Sequence, residues 1–431
     1  MTYSSAVAYL YRLQQHGIKL GLETMTALTA RLGMPQNRYR TLHIAGTNGK
    51  GSTAAMAAAM LQAAGYRVGL YTSPHLVDFR ERIRVNGEMI PESRVAQLTD
   101  QLQTLSQAEL SPTFFEYTTA MAFQHFADTA VDVAVLEVGL GGRFDATNVV
   151  TPMACAITTI ALDHQAYLGS TLSSIAFEKA GIIKPGVPVV LGRLDGDAWR
   201  TIEQVARERK APVFRIGEHF HTEGEEPQQF SYRGLGMRYD GLTCALAGRH
   251  QLDNAACALA LLAAAAPQGI VVTPEAMRAG LQAVSWAGRL EVVDRRPTIL
   301  IDGAHNPAAA TALAEFLTGA DRLYSSRPVI LVLGMMRDKD HRGFVEPLRS
   351  LVDEVVLTQA DLPRSATAQE LQSSLGDLLS HPHVVPSLSD AMALARQLAT
   401  SDGLVCVTGS LMLVGECKAW LHGRVCSPLR G

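Results

Sequence analysis

The sequence predicts an α/β protein of two domains. The first is a parallel-sheet domain built around a glycine-rich loop, with a small β subregion; a smaller Rossmann-like α/β domain follows. Three observations predict this. The chain has 431 residues, more than one core ordinarily holds. A strand, a glycine loop, a helix and a second strand succeed one another between Thr41 and Tyr71. From Thr298 onward, short apolar runs alternate with helical stretches, the texture of a mostly parallel sheet.

Taken in order, the opening segment reads as helix and Thr41–Ala45 as a short buried strand. "GTNGKGST", residues 46–53, is the glycine loop, and Thr53–Ala64 is a run of good helix formers closed by Gly65. Val68–Tyr71 completes a βαβ unit. Asp132–Val138 and Cys155–Ile160 are further strands, too apolar for a one-sided sheet. Between 213 and 247 short alternating segments broken by glycines predict hairpins, and Leu252–Ala266 returns to helix. Gly288 and Pro297 punctuate a polar link, which sets the domains at 1–287 and 288–431. Beyond it the strands are Thr298–Ile301, Val329–Leu333, Glu354–Leu357, His383–Val385 and Leu404–Val407, with helices at Ala308–Leu317 and Ala391–Ala399.

Composition excludes several classes. Hydrophobic residues make up 47% and charged residues 18%, which describes a globular chain. A net charge of −3 from 38 basic and 41 acidic residues gives no electrostatic case for a nucleic-acid partner. The longest apolar run, Ala255–Ala266, falls short of the ~20 residues of a membrane span. Six scattered cysteines without a C-x-x-C fit reduced thiols. The expectation is a cytoplasmic protein with no secretion leader, acting as a monomer.

The loop departs from G-x-x-x-x-G-K-[ST], because Gly51 follows Lys50 and Ser52 comes one place late. It is either a phosphate cradle of another kind or a glycine turn holding a solvated lysine; strand and helix flank it as a cradle requires. In an open parallel sheet, ligands sit beyond the carboxyl ends of the strands. There "YTSPHL" offers Ser73, "LEVGLGGRFDATN" offers Glu137 and Asp145, and "LDHQAYLG" offers Asp163 and His164. Mg²⁺ takes hard oxygen ligands, which suits Glu137 better than a histidine. In "TLSSIAFEKAGIIKPG" an apolar stripe of Leu172, Ile175 and Ala176 continues into Lys179. Such a lysine either snorkels from the helix end or is paired, neutral or chemically changed. "IDGAHNP" places Asp302 and His305 at a strand end, with Asn306 as an N-cap and Pro307 in the first turn.

GTNGKGS, TSPHL, LEVGLGGRFDATN, LDH followed by LG, FEKAGIIK, HQLDNA, GRLE and DGAHNP occur in that order. Together they resemble the folylpolyglutamate synthase family, including the bifunctional dihydrofolate synthases, within the Mur-type amide ligases. The resemblance implies a P-loop ATPase domain in which Gly49, Lys50, Gly51 and Ser52 hold the ATP phosphates. It implies that Ser73, Glu137 and His164 ligate magnesium, and that Lys179 is a carbamate acting in catalysis with Lys50 and His164. It makes Asn254, Arg289, Asp302 and His305 ATP contacts. Thr113, Phe114, Phe115, Glu116, Phe144, Asp145 and Ala146 would line a pterin site. Leu20–Leu22 matches a further pterin stretch, although Lys19 stands where the family carries an acidic residue.

The implied activity is that of an ATP-dependent carboxylate–amine ligase. It would add L-glutamate to dihydropteroate and to reduced folates through an acyl phosphate. The alternatives are a monofunctional folylpolyglutamate synthase, a Mur-like ligase acting on a cell-wall precursor, or an ATP-gated binding module.

Overall fold

The computed structural model describes residues 1–14, 17, 19, 21–106, 110–194, 196–319 and 328–427. Leu20 lies outside them. Two sheets organise the chain. The first has eight strands, in the spatial order Glu88–Met89, Ile83–Val85, Val68–Tyr71, Val133–Glu137, Arg40–Ala45, Ala154–Ile157, Val189–Leu191 and Val213–Arg215. The last six run parallel, and the first two form an antiparallel hairpin at one edge.

Central strands explain the continuous apolar runs. All five residues of Val133–Glu137 are buried, as are all of Arg40–Ala45 after the first, because helices cover both faces. The helix Lys50–Ala63 is alanine-rich, and its small side chains let it lie between the sheet and the helices His250–Ala265 and Pro274–Ala283. It begins three residues earlier than the sequence predicts, inside the glycine loop itself.

Three antiparallel strands, Phe220–Glu226, Gln229–Gly234 and Met237–Leu242, form the small β subregion. Phe220, Phe230, Tyr232 and Leu242 turn inward from it to join the first core. Val213–Arg215, expected among these hairpins, instead closes the main sheet beside Val189–Leu191.

The second sheet is drawn wholly from residues 291–408. Its order is Glu291–Arg295, Thr298–Ile301, Leu404–Thr408, Val329–Leu333, Glu354–Leu357 and His383–Val384. Only the first strand is antiparallel. The sequence pattern assigns that strand to the polar link, because its partly exposed run carries Glu291, Asp294 and Arg295. Among the described residues no helix is long and apolar enough to cross a membrane.

Candidate active site

Parallel strands end on a common edge, so the segments after them converge: 46–49 after Ala45, 72–76 after Tyr71, 138–147 after Glu137 and 158–164 after Ile157. The glycine loop is sewn to its neighbour. Thr47 N donates to Thr159 O at 2.7 Å, Asn48 N to Thr159 Oγ1 at 3.0 Å, and Thr158 Oγ1 to Asn48 O at 2.6 Å. Gly49 is left-handed at φ +85°, and a Cβ there would stand 2.3 Å from Asn254 Oδ1. This explains both the glycine and the placing of Asn254, itself held by Gln251 at 2.9 Å.

Gly51 has a different reason. A Cβ there would meet the Trp286 ring at 2.9 Å, so the serine of the ordinary loop does not fit and Ser52 takes the buried place after it. Gly51→Ser is therefore expected to raise the KM for ATP several-fold and to lower the melting midpoint. Unchanged values for both would mean that Trp286 yields freely.

Two lysines meet at one carbonyl. Lys50 Nζ donates to Gly46 O at 3.0 Å and Thr47 O at 3.1 Å, and Lys179 Nζ donates to Gly46 O at 2.8 Å. Lys179 is 5% exposed. Burial first, then the charge of Lys50, brings its pKa down to about 7. Burial lowers Lys50 as well, opposed by Glu137 and Asp163. On the predicted stripe, Ile175, Ala176 and Lys179 do turn inward, whereas Leu172 is 39% exposed, since the first helical turn sits at the surface.

With a native pKa near 7 against the ordinary 10.5, the unfolded chain binds more protons across that interval. Stability attributable to Lys179 therefore rises with pH through it. Lys179→Met is expected to be the more stable protein at pH 6 and to lose that advantage as pH approaches 10, read from urea midpoints. A constant difference would contradict the burial of the amine.

Glu137 ends its strand 5% exposed and accepts Ser73 N at 3.1 Å. Burial raises its pKa, opposed by Lys50, Arg289 and Arg82. His164 is left-handed at φ +50° with its side chain 39% exposed. Partial burial, opposed by Asp163 and helped by Lys339 and Lys50, lowers its pKa to about 4, toward the neutral form that ligates metals. Among the described residues no three of His, Cys, Asp and Glu converge as a ready metal cage. A hydroxyl, a carboxylate and a neutral imidazole at this edge still fit Mg²⁺, which completes its shell with phosphate oxygens and water.

The second domain reaches the same edge. Asp302 accepts Leu290 N and Ala304 N, both at 2.9 Å, and so ties the segment bearing Arg289 to the strand end. Asn306 caps its helix through Ala309 N at 3.0 Å, as the sequence predicts. Its amide also exchanges hydrogen bonds with Asn48 at 3.0 and 3.2 Å and donates to Asp163 at 3.2 Å. Asp163 further holds His305 at 3.4 Å and the ammonium of Lys339. Burial would raise its carboxyl, but His305, His164 and Lys339 together outweigh it and depress the group far below the usual range. Sequence reasoning missed Asn48 and Lys339; "RDKD" around Lys339 carries no signal by itself.

The candidate pterin segments also meet. Phe115 packs against Gly139, whose N–H donates to Asp145 at 3.0 Å. Several polar residues there have structural work. Thr113 and Glu116 form a capping box, with Thr113 N to Glu116 at 2.7 Å and Glu116 N to Thr113 Oγ1 at 3.2 Å. Asp145 accepts Gly139 N, Leu140 N, Thr147 N and Thr147 Oγ1 at 2.5 to 3.0 Å, holding the 139–147 loop in shape. Phe114 lies under Arg82, Phe144 under Arg143 at 4.3 Å, and Ala146 is buried.

Residues 44–262 match the Mur ligase middle domain, and residues 288–411 match the Mur ligase glutamate ligase domain. A dihydrofolate synthase/folylpolyglutamate synthase of Bacillus subtilis is 36% identical over 427 residues, covering 96% of this chain and 98% of the relative. E. coli FolC in complex with DHPP and ADP superposes with a TM-score of 0.90 at 34% identity, covering 98% of each chain. A Yersinia pestis bifunctional folylpolyglutamate synthase/dihydrofolate synthase complexed with AMPPNP and Mn ion gives 0.87 at 35% identity, again over 98% of each. The chain belongs to the dihydrofolate synthase/folylpolyglutamate synthase family of ATP-dependent Mur-type ligases.

Proposed function

We propose that this chain joins L-glutamate to dihydropteroate and extends the glutamate tail of reduced folates. The observation that carries the site assignment is the meeting of Lys50 and Lys179 on the carbonyl of Gly46, one strand from Glu137. The acceptor carboxylate attacks the γ-phosphorus of ATP; the bond to the bridging oxygen breaks, and ADP leaves. The amine of L-glutamate then attacks the acyl carbon, the carbon–oxygen bond to phosphate breaks, and the amine's proton passes to solvent. Phosphorylation is needed because an amine cannot displace oxide from a carboxylate.

The protein's part is positioning and charge stabilisation. Gly49, Gly51 and Ser52 offer the start of a helix to the phosphates, and Lys50 follows the charge that develops on them. Asn254, Arg289, Asp302 and His305 enclose the nucleotide between the domains, divided at 287/288. Magnesium held by Ser73, Glu137 and His164 would neutralise phosphate charge. Lys179, with its pKa lowered to about 7 and so a substantial neutral fraction near that pH, adds to carbon dioxide with loss of one proton, and the resulting carbamate places an anion against that site. Thr113–Glu116 and Phe144–Ala146 shape the pterin pocket, Asp145 doing so through its loop. The chain acts as a cytoplasmic monomer.

Trapping the acyl phosphate tests the reading. With ATP, Mg²⁺ and dihydropteroate but no L-glutamate, hydroxylamine should yield the acceptor's hydroxamate and one ADP for each. ADP without hydroxamate would show an ATPase uncoupled from acyl transfer and remove the proposed intermediate.

A further inference from the structure

Two arginines beside the phosphate loop have no role in the chemistry proposed so far. Arg82 is 1% exposed; its Nε donates to His75 Nδ1 at 2.9 Å, Phe114 lies under it at 5.1 Å, and its Nη2 has no hydrogen-bond partner among the described residues. Arg84 is half-buried, with its guanidinium over the Trp286 ring at 5.7 Å and its Nε on Glu81 O at 3.2 Å. It lines a cleft with Gly51, Ser73, Glu137, Trp286 and Arg289. Burial lowers both arginines, Arg82 to about 10; the charges of Glu137 and Glu81 at Arg82, and of Glu81 at Arg84, oppose it, but neither carboxylate hydrogen-bonds to a guanidinium.

The acid that would pair with them is already engaged. The Glu81 carboxylate accepts the N–H groups of Leu76, Val77 and Asp78 at 2.9 to 3.1 Å and so fixes the 76–78 turn. Guanidinium charge taken out of water is costly where no carboxylate hydrogen-bonds to it, and an anion arriving from outside supplies that missing pair. A guanidinium fork matches a planar carboxylate. The nucleotide phosphates already have the loop and Lys50, which leaves a substrate carboxylate as the anion, and the acceptor's is the one that must meet the γ-phosphate beside Gly51 in this cleft.

We propose that Arg84, backed by Arg82, binds the acceptor's carboxylate in this cleft and presents it to the γ-phosphate beside Gly51. The inference rests on the acceptor assignment under the proposed function. It makes Arg84 a specificity residue for an acidic acceptor tail, common to dihydropteroate and to folyl glutamates.

Equilibrium binding of dihydropteroate and of its carboxamide, to the full chain and to Arg84→Ala and Arg84→Lys, tests it. The parent should prefer the acid by at least ~10-fold, as expected for a charge-assisted pair. Arg84→Ala should erase that preference by weakening the acid alone, Arg84→Lys should keep part of it, and the KM for ATP and the melting midpoint should hold. Equal weakening of acid and amide would reduce Arg84 to a wall of the cleft. A raised KM for L-glutamate with acid binding intact would assign it to the other substrate, and both results overturn the proposal. Should the parent bind neither compound, the acceptor assignment itself fails, and this inference with it.

Discussion

Lys179→Ala is expected to abolish ligation, by at least ~10²-fold in kcat, the scale of losing one group aimed at developing charge, while the protein stays folded. Its amine is buried, aimed at Gly46 O at 2.8 Å, and held near neutrality by burial and by Lys50. A structural lysine in that place would gain from removal, since burying a charge without an anion is unfavourable. An essential one would show lost activity together with equal or higher stability, and that pairing separates the two roles. ¹³C-labelled bicarbonate should give a carbamate resonance in the parent that vanishes in the variant. Near-normal turnover in Lys179→Ala would make the inward lysine merely structural.

Lys50→Met should cost roughly 10²–10³-fold in kcat, again by loss of a cation at the transferring phosphoryl group. Binding of dihydropteroate should hardly change, because Lys50 turns toward Gly46 and Thr47 within its own loop. The shared carbonyl adds a second effect. Removing Lys50 takes away the second-largest cause of the lowered Lys179 pKa, so carbamate formation should need a higher pH. An intact kcat with only a raised KM for ATP would place Lys50 in ground-state binding and contradict this role.

The site is legible in the sequence where local rules govern it. Buried strands such as Val133–Glu137 announce themselves as apolar runs, and the segment after a parallel strand must lie at the sheet's carboxyl edge. Ser73, Glu137, His164 and Asp302 can therefore be placed from the sequence alone. The Asn306 cap is equally local. The hidden part depends on distant partners. Asp163 gathers Asn306, His305 and Lys339, groups 142 to 176 positions away, and no periodicity encodes that meeting. Gly51 makes sense only once Trp286 stands against it. Thr113–Glu116 enters the pterin site by resemblance, yet T-x-x-E is also a capping box, and both polar ends are used as one. The antiparallel strand Glu291–Arg295 escapes because an edge strand with one wet face looks like a linker.

The most direct measurement is a mass-resolved product assay with ATP, Mg²⁺ and L-glutamate, run in parallel with dihydropteroate and with a reduced folate. One added glutamate on dihydropteroate and extension of the folate tail are expected, each with stoichiometric ADP. Product from the folate alone would contradict the dihydrofolate synthase half, and no glutamyl product from either acceptor would contradict the ligase reading altogether.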